Sequence, residues 1–234
     1  MSRRFKINKR QYDNFDLYQK SMITLNPGVT VLVGCNGSGK TTLLNILKNK
    51  LKKLNIPVLH FNNLKDGGHG AVSSAGFFRD YSLMSQLICS SEGESIVLNM
   101  CNLAQGLRHF IKTGQLNDRQ SQLDRAFKRL LSNTDNNTNN EPIKERWLLF
   151  DAVDSGLSVD NIIDLKEKLF NTILEDRDDC DVYIIISANE YELARSENCF
   201  DVYSGKYIKF KDYEDYRNFI TDSRTIKDKR QYDR

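Results

Sequence analysis

The chain has 234 residues, with 34 lysines and arginines against 31 aspartates and glutamates, a formal net charge of +3, and 39% hydrophobic residues. That apolar share over that length suits one large globular domain spanning 1–234 and excludes a disordered or fibrous chain. No run approaches the roughly 18 apolar residues of a membrane span, and Met1-Ser2-Arg3-Arg4 leads into no apolar stretch, so neither a spanning helix nor a secretory signal is expected. The 5 cysteines, at 35, 89, 101, 180 and 199, are odd in number and form no CxxC pair, which argues against a disulfide scaffold or a structural zinc site and for a reducing, cytoplasmic setting. The three histidines, His60, His69 and His109, are dispersed and make no ligand cluster.

The elements alternate along the chain. In residues 22–33 the pair Pro27-Gly28 marks a turn, and Val29–Val33 is an apolar, β-branched run that reads as a buried strand. Leucines at 43, 44, 47, 51 and 54 then give Thr41–Leu54 helical spacing. Residues 55–61 read as a second strand. The stretch 62–76 is polar and glycine-rich and reads as a loop, followed by helices over about 77–89, 95–113 and 118–131, a helical subdomain at about 77–131. Residues 132–141, SNTDNNTNNE, hold no apolar side chain and read as an exposed, mobile loop. Trp147–Phe150 is a central-strand candidate, residues 161–174 a helix, and Asp181–Ile186 a β-branched central strand. Residues 202–208 read as an edge hairpin, and Tyr213–Thr221 as a closing helix. Strands alternating with helices imply an α/β fold around a largely parallel sheet.

Residues Gly34-Cys35-Asn36-Gly37-Ser38-Gly39-Lys40-Thr41 complete the pattern G-x-x-x-x-G-K-[ST]. Its glycines let successive backbone amides of Asn36, Gly37, Ser38, Gly39 and the following residues, through Thr42, face phosphate oxygens. Lys40 reaches the β- and γ-phosphates, and the Thr41 hydroxyl is placed to ligate Mg²⁺. The motif stands between a predicted strand and a predicted helix, whose N-terminus favours an anion. ATP and Mg²⁺ are the cofactors this implies.

Further along, Ser90-Ser91-Glu92-Gly93-Glu94, then Trp147-Leu148-Leu149-Phe150-Asp151, then Asp154-Ser155-Gly156-Leu157-Ser158, then Ile185-Ile186-Ser187-Ala188-Asn189 follow in order. With the phosphate loop, this order resembles the ATP-binding-cassette ATPases, including the branch of chromosome-maintenance and recombination ATPases. The chain is most similar to small, single-domain bacterial or phage members of the AAA kind, and the likeness runs over about residues 20–210. It implies a P-loop NTPase fold of the cassette type, a mixed sheet with flanking helices and a helical signature subdomain. In that reading Ser91, Gly93 and Glu94 match the signature L-S-G-G-Q/E, with Ser90 and Glu92 departing from it. A Ser-rich helix cap is the competing reading of the same residues. The signature would meet nucleotide bound by a second copy, so the resemblance implies a homodimer formed on ATP. Asp151 would hold Mg²⁺ through water as the Walker B carboxylate, and Ser155 would lie in a D-loop at the dimer interface. Asn189 stands where transporters carry a switch histidine; asparagine can hydrogen-bond a phosphate or a water but is no useful base. Asn62 or Asn63 would stand at the Q-loop, and Tyr12 or Tyr18 would stack on adenine unless they are ordinary core or surface tyrosines.

The family places a glutamate directly after the Walker B aspartate, to orient and polarise the attacking water. Here that position is Ala152. Loss of a positioned base typically costs about 10²–10⁴ in rate. The resemblance therefore implies an ATPase that binds nucleotide and turns over very slowly, either through a Glu-to-Ala change made to trap the ATP-bound dimer or as a natural low-turnover sensor.

Three outputs remain open. One is a DNA-related process such as repair, or a defence or phage process; a direct clamp on DNA would use the basic ends, which otherwise read as solvated termini. Arg3, Arg4, Lys6, Lys9 and Arg10 lie at one end, and Arg224, Lys227, Lys229, Arg230 and Arg234 at the other. A catalytically weak regulatory module would bind a protein partner. A transporter subunit would carry a cleaner signature and a switch histidine. Fewer than 60 residues separate Gly34 from Gly93, and Gly93 from Asp151, which leaves no room for long coiled-coil arms.

Overall fold

The computed structural model describes residues 2–12, 15–62, 107–114, 143–175, 177 and 179–232. The chain opens with β1 (Arg3–Lys6), β2 (Arg10–Tyr12), β3 (Phe15–Asp16) and β4 (Met22–Leu25). β1 pairs antiparallel with β4, and β2 with β3. β5 (Gly28–Val33) leads through the phosphate loop into α1 (Lys40–Lys53), and β6 (Val58–Asn62) follows. After a helical stretch at 107–113 come β7 (Glu145–Asp151), α2 (Val159–Asp164), a π-helical turn at Leu165–Phe170 and α3 (Asn171–Glu175). β8 (Asp181–Ser187), α4 (Tyr191–Ala194), β9 (Asn198–Asp201), β10 (Lys206–Ile208) and α5 (Tyr213–Tyr232) close the chain.

Six strands form the main sheet in the order β10-β9-β5-β8-β7-β6. All pairings are parallel except that of β9 with β10. The sheet is mixed α/β in architecture, with layers on both faces, as the alternation of elements implies. Parallel strands covered on both sides need apolar side chains pointing both ways, and the central strands supply them. Val31, Leu148, Phe150, Val182, Ile184 and Ile186 face the layer formed by residues 107–111, α2, α3, α4 and the start of α5. Leu32, Trp147, Leu149, Tyr183 and Ile185 face α1 and the β1–β4 ribbon, meeting Leu43, Leu44, Leu47 and Leu51 of the helix.

Two residues of β7 tie the sheet to the layers on its two faces. Trp147 is fully buried, stacked on Tyr183 at 3.8 Å between ring centroids and edge-on to Phe5 at 5.4 Å. Arg146 is buried as a cation, and burial lowers its pKa from the usual guanidinium value. It donates to the carbonyls of Ile111 at 3.0 Å, Glu145 at 2.9 Å and Ile143, so the 107–113 stretch is tied to β7 by charge-assisted hydrogen bonds.

The sequence expectations hold for Val29–Val33, Thr41–Leu54, Trp147–Phe150 and Asp181–Ile186 within a residue or two at each end. The second strand starts at Val58 rather than Asn55, because Leu54 closes α1 and Asn55 is left-handed at φ 54°. The 161–174 helix is interrupted by the π turn. The edge hairpin is displaced: Asn198–Asp201 forms its first strand, beside β5, and Val202–Gly205 makes the turn. The closing helix runs past Thr221 to Tyr232. The ribbon β1–β4 was not anticipated. Of the expected helical subdomain only 107–114 falls among the described residues; the helices at 77–89 and 118–131 and the loop at 132–141 lie outside them. No helix among the described residues is long and apolar enough to cross a membrane.

Trp147→Ala removes the aromatic that joins Phe5 to Tyr183. The expected loss is about 3–5 kcal/mol of unfolding free energy, read from the urea midpoint at unchanged slope.

Candidate functional site

The site lies at the C-terminal ends of the parallel strands. β5 ends at Val33, and the chain turns through Gly34–Gly39 into α1. Gly39 is the N-cap, left-handed at φ 99°, and a Cβ there would come within 2.6 Å of Leu17 Cδ2. Only glycine fits both the dihedral and the contact. No side chain caps α1, and its first turn carries no acidic residue. The helix dipole at that end favours an anion.

Lys40 lies across the loop. It is only 9% exposed, and its ammonium donates to the carbonyls of Gly34 at 2.6 Å and Cys35 at 3.3 Å. Burial lowers its pKa, while the charges of Cys35, Asp154 and Asp151 pull it back up. Tyr18 supports the loop from behind. Its ring is buried and its hydroxyl donates to the Gly39 carbonyl at 3.0 Å. A ring so enclosed offers no face to adenine, so Tyr18 takes the reading of an ordinary core tyrosine. The side chain of Tyr12 lies outside the described ones.

Asp151 ends β7 and is 2% exposed. Its Oδ1 accepts from Thr41 Oγ1 at 3.0 Å and from Ser187 Oγ at 2.6 Å, and its Oδ2 accepts from Asn62 Nδ2 at 3.1 Å. Three elements thus converge on one carboxylate. Asn62 arrives because β6 and β7 run in parallel register, which sets Asn62 opposite Asp151. Asn63 lies outside the described residues. Ser187 also accepts the backbone N–H of Ala152 at 2.9 Å. Ala152 is itself left-handed at φ 52°.

Asp154 and the segment after β8 are joined. Asp154 is buried, and its Oδ2 accepts the backbone N–H groups of Asn189 and, at 2.7 Å, Glu190. The Tyr216 hydroxyl donates to the Asn189 carbonyl at 2.7 Å, and burial together with the nearby Asp154 and Glu190 charges pushes that phenol far up, so it stays a donor. The side chain of Asn189 is exposed and that of Ser155 half-buried. Asn36 and Gly37 are exposed on the loop's rim, Ser38 is buried and Thr42 half-buried. Ser91, Gly93 and Glu94 lie outside the described residues.

The residues present fit a magnesium-bound polyphosphate. Thr41 and Asp151 offer neighbouring hydroxyl and carboxylate oxygens, the hard donors that Mg²⁺ takes when phosphates and water complete its shell. Ser38 Oγ and Asp154 Oδ1 are buried and have no hydrogen-bond partner among the described residues. An unpaired oxygen inside the loop and another beside Lys40's field are the kind of groups an incoming ligand or its water satisfies. No cluster of three or more His, Cys, Asp or Glu side chains that could hold a metal by itself occurs among the described residues.

The AAA domain family matches the chain over residues 11–51, which takes in the phosphate loop and most of α1. No curated protein matches. Among solved structures, an ATP-binding cassette of an ABC transporter in its ADP conformation is similar at 17% identity and TM-score 0.45, covering 97% of this chain and 96% of that one. A nucleotide-free ATP-binding cassette from an ABC transporter is similar at 18% identity and TM-score 0.43, covering 96% of each. Likeness at this level decides nothing about function, and the fold assignment rests on the sheet order and the loop described above.

Sequence reasoning placed Ser187 in the segment Ile185–Asn189 but gave it no role, although it is the first polar side chain after the apolar run Tyr183–Ile186 and sits where the strand ends. Ser187→Ala removes a hydroxyl bonded to a buried carboxylate. It is expected to cost about 1.5–3 kcal/mol in urea unfolding, against about 0.5–1.5 kcal/mol for Tyr18→Phe, which removes a neutral bond.

Proposed function

We propose that the chain is a Mg-ATP-binding module that turns over slowly and whose nucleotide-dependent shape, presented to a protein partner, is its output. One observation carries this reading. The loop, Lys40, Thr41 and Asp151 supply the donors and oxygens that a phosphate and metal site needs, yet the next position is Ala152, and the further acid Asp154 has its Oδ2 fixed on the amides of Asn189 and Glu190. Position 152 offers no carboxylate to a water beside the terminal phosphate, and Asp154 has only its Oδ1 left to offer.

In this reading the loop amides and Lys40 bind the polyphosphate. Thr41 and Asp151 would hold the magnesium ion, which neutralises phosphate charge when bound. Lys40 exchanges its contacts to the Gly34 and Cys35 carbonyls for phosphate oxygens, recovering in the new ion pair what burial costs its charge. Asp151 stays aimed by Asn62 and Ser187 during that exchange. Asp154 and Tyr216 hold the segment carrying Asn189 from two sides, so Asn189 is positioned to hydrogen-bond a water or phosphate but not to remove a proton. The resemblance adds that Ser91, Gly93, Glu94 and Ser155 would complete the site across an ATP-dependent homodimer. Closure of such a dimer is a two-state change that a partner can read.

The clamp on DNA through the basic ends gains no support from the described contacts. Arg3 pairs with Glu145 at 3.0 Å, Lys227 donates to the Asn36 carbonyl at 3.1 Å and Arg230 lies 3.8 Å over the Tyr203 ring, so three of those cations are engaged within the chain.

Calorimetric titration with Mg-ATP is expected to show saturable binding that Lys40→Ala abolishes; no heat with the unaltered chain refutes the reading. Ala152→Glu is expected to raise phosphate release by about 10²–10⁴, and an unchanged rate would show that position 152 does not limit turnover. Light scattering should register a dimer with Mg-ATP and a monomer without it; a monomer at saturation removes the composite site.

A further inference from the structure

α5 changes character along its length. Its first turns are anchored in the core through Tyr216, which is buried, with Phe219 and Ile220 packed beside it. Beyond Ile220 none of its described side chains is buried, and Ile226 is 42% exposed. Polar groups hold that distal half instead, and they lie on one helical face at positions i, i+4 and i+7. Ser223 Oγ accepts the backbone N–H of Cys35 at 3.1 Å. Lys227 Nζ donates to the Asn36 carbonyl at 3.1 Å. Arg230 donates to the carbonyls of Asp16 at 2.9 Å and Leu17 at 3.4 Å while stacking on Tyr203. Two of these three contacts are to the phosphate loop itself. Lys227 Nζ also lies 2.9 Å from the point a Cβ on Gly37 would occupy, so a side chain at position 37 would displace the ammonium.

We propose that Lys227 is a second phosphate-contacting cation of this site, delivered in cis by α5 and aimed by Ser223 and Arg230. The inference rests on the nucleotide reading above and deepens it by adding a ligand contact that the loop motif does not contain. Sign of charge decides between this role and simple occlusion. A strap that blocks an anion site by mimicry would present carboxylates, whereas this face presents an ammonium and a guanidinium. An ammonium on the rim raises the local potential and attracts a polyanion. Its present partner is a neutral carbonyl on an exposed residue, and phosphate oxygen is the stronger acceptor for a cation. The side chain is half-buried on a four-carbon stem, so it can follow the ligand without moving the helix. The contact should strengthen with ligand charge, favouring a nucleoside triphosphate over a diphosphate.

The test is calorimetric affinity for Mg-ATP and Mg-ADP in the unaltered chain and in Lys227→Gln, Lys227→Arg and Lys229→Gln, with thermal melts to confirm folding. Lys229 is exposed on a different face and removes the same charge from the same helix. Lys227→Gln is expected to weaken Mg-ATP about 10- to 100-fold, the worth of one hydrogen bond to a charged group, and Mg-ADP by less. Lys227→Arg, which retains the charge, should lose less than Lys227→Gln, and Lys229→Gln should match the unaltered chain. Equal affinity in Lys227→Gln overturns the proposal, and tighter binding overturns it in favour of an occluding helix. An equal loss in Lys229→Gln overturns it in favour of a diffuse field. If the unaltered chain binds neither nucleotide, the nucleotide reading falls and this inference with it; binding by the unaltered chain with no loss in Lys227→Gln sinks this inference alone.

Discussion

A carboxylate at 2% exposure has lost most of its water, and the site depends on how that loss is compensated for Asp151. Burying a charge is costly unless hydrogen bonds replace its solvation. Here the replacements come from Thr41, Asn62 and Ser187, that is, from the helix after β5 and from the strands on either side of β7. The parallel register of β6, β7 and β8 is what makes this convergence possible, because it brings their C-terminal ends level. The same three donors fix the orientation of both carboxylate oxygens, so the geometry of the site and the solvation of its charge have one cause.

The phosphate loop is held by a different means. Its glycines give it the dihedrals it needs but no side chains with which to pack, so the surrounding structure must constrain it. Leu17 fills the space under Gly39, the Tyr18 hydroxyl takes the Gly39 carbonyl, and Ser223 and Lys227 take groups at the other end. The β1–β4 ribbon and its connection thus have a function beyond covering α1: they bring Leu17 and Tyr18 beneath the loop. The loop is supported on one side by the buried Leu17 and Tyr18 and on the other by polar contacts from α5.

The parts of the fold legible in the sequence are those whose pattern is set by burial. Val29–Val33 and Asp181–Ile186 are apolar because both faces of a parallel strand are covered, and the leucines of α1 repeat because one helical face is. The glycine-lysine motif was legible because its backbone geometry demands glycine at fixed places. What was not legible lacks such a pattern. Residues 222–232 contain Ile226 alone among aliphatic side chains, so no period marks the helix, and three polar contacts to segments far away in the sequence hold it. Tyr18 looked available for stacking because its environment comes from Gly39, 21 residues on. Asn62 was singled out from its place after a strand, and the register with Asp151 is what gives that placement a physical meaning.

The position after Asp151 shows how the local backbone and the chemistry are connected. A non-glycine residue in the left-handed region costs of the order of 1–2 kcal/mol, and Ala152 adopts it because both of its backbone groups are held. Its N–H goes to Ser187, and its carbonyl accepts from Ser155 at 3.0 Å. That tight turn carries Asp154 inward to the amides of Asn189 and Glu190. The acids of this region are therefore committed in turn, Asp151 to the hydroxyls and amide that aim it and Asp154 to the backbone of the segment carrying Asn189. Asp151 has both oxygens engaged, whereas Asp154 keeps Oδ1 without a partner among the described residues.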